Sequence, residues 1–180
     1  GLWGELFLIL SSKNSEALIE SWREKNKFKY DFFNLNGSIE VKTTTTNERK
    51  HRFRHTQLIE KTNNVVIASI LTQQKQQGGI DIYDLEKKII KNVNNKELVS
   101  KLYNGIYEVI GSRNKEQVSF HKYDYDFAIK HLRYYYLIDL PKVLDFEEGV
   151  KEIEYSVNLE YSQHINKFDK NSFFSNLYFE

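Results

Sequence analysis

The sequence predicts an α/β fold, and three features of its N-terminal part carry that prediction. Two apolar stretches with helical spacing, at 2–11 and 15–25, come first. Two strand-like segments joined by Asn36-Gly37 follow, and this dipeptide is the strongest short signal for a β-hairpin. The third feature is "NNVVIASILTQ" at 63–73, whose β-branched residues indicate a buried strand.

Shorter elements complete the N-terminal part. Ser15 is placed to cap the second helix, and the hairpin strands are expected at 28–35 and 38–45. After them, "HRFRH" alternates like a short strand and "TQLIEK" reads as a helical turn. The predicted order up to about residue 72 is therefore α-β-β-(β)-α-β.

The polar, glycine-containing run "QQKQQGG" at 73–79 marks a loop or a subdomain boundary. We therefore divide the chain into a core at 1–72 and an α+β extension at 73–180, packed on the core as one domain. Two amphipathic patterns and two alternating patterns predict helices and strands in the extension. They are helices at 81–92 and 95–110 and strands at 132–140 and 153–159.

The composition is that of a globular domain. The chain has 180 residues, of which 40% are hydrophobic and 28% charged, and it is long enough to bury a core. The absence of cysteine excludes a disulfide framework, a thiolate nucleophile and a zinc-thiolate cluster, and it fits a reducing compartment. No stretch approaches the ~20 apolar residues of a membrane span, and no signal peptide is visible. Methionine is absent even from position 1, so we expect a fragment of a longer protein.

The hairpin places charged side chains on one face of a sheet. A two-residue turn at Asn36-Gly37 would pair Asp31 with Lys42 and put Glu40 on the diagonal from Asp31. The residues that alternate with these along the two strands face the other side of the sheet and are predicted to lie in the core. They are Phe32, Ile39 and Val41.

Two interpretations of the charged face remain open on spacing alone. A diagonal pair lies roughly 7–8 Å apart at the backbone, so Asp31 and Glu40 could bend onto one ion between them. Mg²⁺ takes hard oxygen ligands, often one or two carboxylates plus water and phosphate, and a neighbouring lysine can hold a water. The other interpretation is an exposed sheet face with one Asp31–Lys42 ion pair.

The segment "HRFRH" predicts a basic edge beside this face. Lys50, His51, Arg52 and Arg54 could meet phosphates there, and a charged edge strand that resists aggregation is a compatible interpretation. His51 and His55 also have the i, i+4 spacing of helical metal ligands. No glutamate follows His51, however, and the segment alternates like a strand, which disfavours a metal site.

Four short motifs, taken in order, are more specific than the hairpin alone. "GLWGEL" on the first helix, then "YDF", "IEVKTT" and "TQL" before an apolar strand resemble the PD-(D/E)XK nuclease superfamily. More narrowly, they resemble a bacterial family linked to restriction-modification and phage-defence genes. The motifs lie within 1–72 and have no specific counterpart in 73–180. The resemblance implies a restriction-endonuclease-like core (αβββαβ, a mixed sheet flanked by helices).

The resemblance also implies roles for individual residues. Asp31 and Glu40 would be metal ligands, and Lys42 would position or activate the attacking water. Glu5 on the first helix matches a further acidic ligand, and Gln57 falls where many members have a glutamine near the site. The tyrosine that often follows this glutamine is absent, because position 61 is lysine, and tyrosine replaces proline before Asp31.

The function so implied is a metal-dependent endonuclease that hydrolyses phosphodiester bonds in DNA, in bacterial restriction or phage defence. The cofactor would be Mg²⁺, with Mn²⁺ able to substitute, and the location the bacterial cytoplasm. Other defence-system subunits and a homodimer are further partners to consider, and no membrane is expected. Two alternatives remain: a non-catalytic DNA-binding or assembly module that retains the fold, and a structural subunit.

Overall fold

The computed structural model describes residues 1–22, 29–59, 64–111, 121–166 and 168. Its helices are α1 (Leu2–Leu10), α2 (Ser15–Ser21), α3 (His55–Leu58), α4 (Ile82–Ile90), α5 (Lys96–Ile110) and α6 (Tyr125–Lys130). Its strands are β1 (Phe32–Asn34), β2 (Gly37–Thr44), β3 (Lys50–Arg54), β4 (Val65–Leu71), β5 (Leu132–Tyr136) and β6 (Glu154–Asn158). Short 3₁₀ turns at Leu137–Asp139 and Leu159–Tyr161 follow β5 and β6. None of the described helices has the length and apolar character needed to cross a membrane.

Four strands form a mixed sheet in the order β1-β2-β4-β5. The β1–β2 and β4–β5 pairs are antiparallel, whereas β2 and β4 run parallel. A parallel pair needs a crossover connection, and β3 and α3 lie within it. Every residue of β4 is buried, as its β-branched sequence predicts. The predicted α/β class, with a mixed sheet flanked by helices, is confirmed.

The β1–β2 hairpin forms at the predicted place but in a different register. Asn34 lies opposite Gly37, and the predicted pairing of Asp31 with Lys42 is therefore wrong by two residues. Side chains alternate between faces with a period of two, so a shift of two leaves each side chain on its predicted face. Each face of the hairpin, charged or apolar, therefore carries the side chains that were predicted for it.

The side chain of Asn34 explains the register. Its Oδ1 accepts hydrogen bonds from the backbone N–H groups of Asn36, at 2.8 Å, and Gly37, at 3.1 Å. This Asx-type turn makes Leu35 and Asn36 the loop and lets Gly37 begin β2. Gly37 has a φ of +151°, a conformation that a residue with a Cβ rarely adopts.

Helix α1 lies directly on the apolar face of β2. A Cβ at Gly4 would come within 2.0 Å of Thr43 Oγ1 and 3.1 Å of Val41 Cγ1, so the close approach requires glycine. The core between helix and sheet includes the fully buried Leu6 and Phe32. This packing fixes the position of Glu5, the residue after Gly4, relative to the sheet.

The second helix begins at Ser15, as predicted, but its N-cap and its end differ from the prediction. Asn14, not Ser15, is its N-cap, because Asn14 Oδ1 accepts a hydrogen bond of 3.1 Å from Ala17 N. The hydroxyl of Ser15 instead donates to the carbonyl oxygen of Ile9. The helix ends at Ser21 because Trp22 has an extended backbone, and the end predicted at residue 25 lies outside the described residues.

Strands from the C-terminal part of the chain join both sheets. β5 pairs with β4 at the edge of the mixed sheet, and β6 pairs with β3 in a separate two-stranded sheet. The strand predicted at 132–140 ends at Tyr136, where the chain enters a 3₁₀ turn. The boundary at residue 72 remains a prediction, but the chain beyond it supplies a strand to each sheet.

Candidate active site

Glu40 and Lys42 project from the same face of β2, two residues apart. The Lys42 Nζ lies 2.8 Å from Glu40 Oε1, and the two side chains are only 19% and 10% exposed. The Lys42 ammonium also lies 4.9 Å from the centre of the Phe53 ring, on β3. The lysine is therefore held between a carboxylate and an aromatic face rather than extended into solvent. The ion pair found on this face is thus Glu40–Lys42.

Asp31 precedes β1 and reaches β2 through its side chain. Its Oδ2 accepts a hydrogen bond of 2.8 Å from the backbone N–H of Val41, and the residue is 4% exposed. Extending the register of the hairpin by one residue from Phe32 and Ile39 places Asp31 opposite Glu40. Directly opposed residues have Cβ atoms about 4.5–5.5 Å apart, closer than the predicted diagonal.

Gln57, on α3, connects the start of that helix to Glu40. Its Nε2 donates to Glu40 Oε1 at 3.2 Å, and its Oε1 accepts from the backbone N–H of Arg54 at 3.1 Å. Glu40 Oε1 thus receives both the amide of Gln57 and the ammonium of Lys42. The residue before β1, strand β2 and helix α3 thus bring four side chains together: Asp31, Glu40, Lys42 and Gln57.

Comparison with protein families agrees with this geometry. A family model described as "Putative PD-(D/E)XK family member" (DUF4420) matches residues 1–160. The chain belongs to this PD-(D/E)XK family. The resemblance to the PD-(D/E)XK superfamily is therefore confirmed, and its mixed sheet with flanking helices is a restriction-endonuclease-like fold. The searches of curated proteins and of solved structures return no match.

The PD-(D/E)XK superfamily consists generally of nucleases that use divalent metals. Asp31 and Glu40 are buried residues with carboxylate oxygens, and one or two carboxylates are what Mg²⁺ takes from a protein. The chemistry of this pair fits such an ion. No cluster of three or more histidine, aspartate or glutamate side chains that could hold a metal is found within the described ranges.

Glu5 lies on the other side of this arrangement from Lys42 and Gln57. It is carried by α1, which packs on the apolar face of the sheet, and its Oε2 accepts a hydrogen bond of 2.8 Å from Trp22 Nε1. The backbone of Trp22 forms a bridge with Phe32, the neighbour of Asp31. A role for Glu5 as a third ligand remains a prediction.

A buried polar network next to Lys42 was not foreseen in the sequence. Ser69 on β4 lies beside Lys42 in the sheet, and its Oγ is 2.8 Å from His51 Nε2. Arg49, which is completely buried, donates to the Oγ and the carbonyl oxygen of Ser69 and to the carbonyl oxygen of His131. Its Nε also lies 3.2 Å from Glu160 Oε1, so the network reaches the C-terminal part of the chain.

His51 therefore differs from the other residues of the predicted basic edge. It is 4% exposed and hydrogen-bonded to Ser69, so its ring lies in the interior of the fold and not on the surface. Burial, followed by the charges of Lys42 and Arg49, lowers the pKa of His51 to about 4, and the ring is neutral at pH 7. Only the alternating pattern of "HRFRH" could have indicated that His51 turns inward.

Arg52 and Arg54 occupy the outward side of β3, together with Lys50. Both arginine side chains are more than three-quarters exposed, at 77% and 76%. Both also approach the carboxylate of Glu154 on the paired strand β6, at 3.9 Å for Arg52 and 3.3 Å for Arg54. The predicted basic edge exists on the surface, and an acidic residue of β6 partly offsets its charge.

Proposed function

We propose that this chain is a metal-dependent endonuclease domain that hydrolyses phosphodiester bonds in DNA. The observation that supports the proposal is the buried group of Asp31, Glu40 and Lys42, linked to Gln57, in a chain of the PD-(D/E)XK family. Burying two carboxylates and an ammonium is costly unless they are paired and hydrogen-bonded. A surface ion pair would not need this set of partners.

The residues of the group have separable tasks in this proposal. Asp31 and Glu40 would hold Mg²⁺, or Mn²⁺ in its place, through their carboxylate oxygens. The bound ion would polarise the scissile phosphate and lower the pKa of a bound water. Lys42 donates hydrogen bonds from its ammonium, which can orient the attacking water and stabilise the charge that develops on the phosphate.

Gln57 would act on Glu40 rather than on the substrate. Because one end of its amide is bonded to the Arg54 backbone, the other end holds Glu40 Oε1 in a defined direction. Outer partners of this kind fix the orientation of a metal-binding carboxylate.

We place the domain in a bacterial restriction or phage-defence system in the cytoplasm, where other subunits or a second copy could supply DNA recognition.

The test measures metal affinity and DNA nicking on the same variants. Calorimetric titration with Mn²⁺ or Mg²⁺ is combined with nicking rates on supercoiled plasmid and on modified and unmodified phage DNA, with EDTA as the control. Asp31→Asn and Glu40→Gln should weaken metal binding and nicking together, since each removes a charged ligand.

Lys42→Ala separates catalysis from metal binding. It should leave metal affinity intact or improve it, because removing a nearby cation relieves a repulsion of about 1 kcal/mol or more. Nicking should nevertheless fall by ~10²-fold or more, as expected when a preorganised charge is lost. If Lys42→Ala nicks DNA at the normal rate, the catalytic assignment is wrong. If no variant changes metal binding, the chain is better explained as a non-catalytic DNA-binding or assembly module.

A further inference from the structure

Phe53, on β3, contacts Lys42, and neither the proposed mechanism nor the family match gives this contact a task. The Lys42 Nζ lies over the ring, 4.9 Å from its centre, within the roughly 6 Å at which an aromatic face attracts a cation. Phe53 is 1% exposed and the Lys42 side chain 19% exposed, so little water screens the attraction. The ammonium also lies 2.8 Å from Glu40 Oε1, its one ion-pair partner among the described residues.

The Phe53 ring is held in place by an apolar cluster on the charged face of the sheet. This cluster of buried residues is separate from the core that lies under α1. Three of its members adjoin residues of the site, in the sequence or in the sheet. They are Tyr30 before Asp31, Leu58 after Gln57, and Ile67 beside Glu40. A ring packed among these residues has a fixed position relative to the site.

An aromatic face can hold the ammonium in a way that a second carboxylate cannot. It attracts the cation without carrying a net charge and without offering a ligand to a metal ion. In the proposed function Glu40 gives its carboxylate to a metal, whose positive charge weakens the attraction between Glu40 and Lys42. The contact with the ring does not depend on Glu40. N–H donors of the lysine that point away from both partners remain available for a water or a phosphate oxygen.

We propose that Phe53 is a positioning residue for Lys42, whose ring holds the ammonium beside the site when Glu40 binds the metal. The inference rests on the proposed function, because it takes Lys42 to act on the attacking water and the phosphate. All five residues of β3, Lys50–Arg54, pair with β6. The C-terminal part of the chain therefore supports this contact.

Fluorinated phenylalanines test the ring face with little change of shape. Site-specific replacement of Phe53 by mono-, di- and trifluorinated phenylalanine withdraws electrons stepwise and weakens the attraction for a cation. The nicking rate at saturating supercoiled plasmid should fall with each fluorine, and Phe53→Leu should lower it by about 10-fold. The half-saturating plasmid concentration and the Mn²⁺ affinity from calorimetry should not change, because the buried ring touches neither DNA nor the metal.

Phe7, on α1, is a matched control. Its side chain is fully buried and its ring stacks on Trp3, with 5.3 Å between the ring centres, in the core under α1. Phe7→Leu and Phe53→Leu both replace a buried ring with an aliphatic side chain and should lower the melting temperature to a similar extent. Phe7→Leu and the fluorinated series at Phe7 should leave the nicking rate unchanged.

A spectroscopic measurement tests the contact without cleavage. In the metal-free protein the ring current of Phe53 should shift the NMR signals of the Lys42 Hε protons upfield, and Lys42→Arg assigns them. Phe53→Leu should remove this shift, whereas Phe7→Leu should keep it. The shift should persist when Mg²⁺ is added, since the contact with the ring does not depend on Glu40.

The outcomes separate the inference from the proposed function. If Lys42→Ala slows nicking but the fluorinated series at Phe53 does not, the positioning role is wrong and the proposed function stands. Equal slowing by the series at Phe53 and at Phe7 would mean that the ring contributes packing alone. Should Phe53→Leu fail to fold, the fluorinated variants decide the question. If Lys42→Ala nicks DNA at the normal rate, the proposed function fails and the inference with it.

Discussion

The two faces of strand β2 are covered in different ways. On one face Val41 and Thr43 lie under α1, where the hydroxyl of Thr43 finds no hydrogen-bond partner among the described residues. On the other face Glu40 and Lys42 are nearly as buried, yet each has a charged or amide partner. The difference shows that burial alone does not make a core. What distinguishes the charged face is that its polar groups have partners: Gln57 on α3 bonds Glu40, and His51 on β3 bonds Ser69 on β4 beside Lys42.

The apolar face should carry most of the stability, and Phe32 tests this most strongly. Phe32 is fully buried on that face, so Phe32→Ala should lower the free energy of unfolding by about 3–5 kcal/mol. Its neighbour Phe33 lies on the other face and is 48% exposed, so Phe33→Ala should change the free energy of unfolding by about 0.5 kcal/mol or less. Urea unfolding followed by tryptophan fluorescence measures both. Equal losses would mean that the two faces are not distinct.

The same contrast explains how far the sequence could predict the structure. The period of two in the hairpin was enough to assign Phe32 and Glu40 to opposite faces, because alternation survives a shift of register by two. The register itself depends on the side-chain turn of Asn34, which competes with Asn36-Gly37 as the loop. A dipeptide signal cannot decide between two such turns.

The buried polar network around Arg49 could not be predicted from the sequence, for a different reason. Arg49 reaches Ser69, His131 and Glu160, which are 20, 82 and 111 positions away in the sequence. No local pattern indicates that a charged residue in a loop between two strands will be fully buried. Such a position becomes predictable only when the strands of the C-terminal part are placed.

His51, beside the charged face, should make the free energy of unfolding depend on pH. The pKa of His51 falls from 6.5 to about 4 on folding, mainly through burial, so the unfolded chain binds a proton more readily between these values. The free energy of unfolding is therefore highest above about pH 6.5, where the ring is neutral in both states, and it decreases as the pH falls toward 4. The loss should be about 3 kcal/mol at ~1.4 kcal/mol per pKa unit.

The variant His51→Gln isolates this contribution. Its stability should depend less steeply on pH between 6.5 and 4 than that of the unmodified chain, when both are measured by urea unfolding across the range. His164→Gln, at an exposed position, should keep the steep dependence. Parallel curves for His51→Gln and the unmodified chain would show that His51 is not held neutral beside Lys42.

The exposed side of β3 should contribute less to the free energy of unfolding than its buried side. Substitution of Glu154, which contacts the exposed side, should therefore have a small effect on stability. Arg52 and Arg54 share the Glu154 carboxylate on the surface, with all three side chains at least 41% exposed. Exposed pairs contribute about 0–1 kcal/mol, so Glu154→Gln should hardly change the free energy of unfolding. Its effect should appear in DNA binding, because a bound phosphate must compete with this carboxylate for the two guanidinium groups.

Salt dependence can show whether that competition exists. Each phosphate contact contributes about one unit to the slope of log affinity against log salt, so Arg52→Ala with Arg54→Ala should flatten the slope by up to about two units. Glu154→Gln removes a competing anion and should raise DNA affinity at low salt while keeping both arginines. Titrating a labelled duplex without divalent metal, so that no cleavage occurs, measures all three chains. If Glu154→Gln and the double arginine variant both bind as the unmodified chain does, the two arginines do not contact DNA and serve only the pairing of β3 with β6.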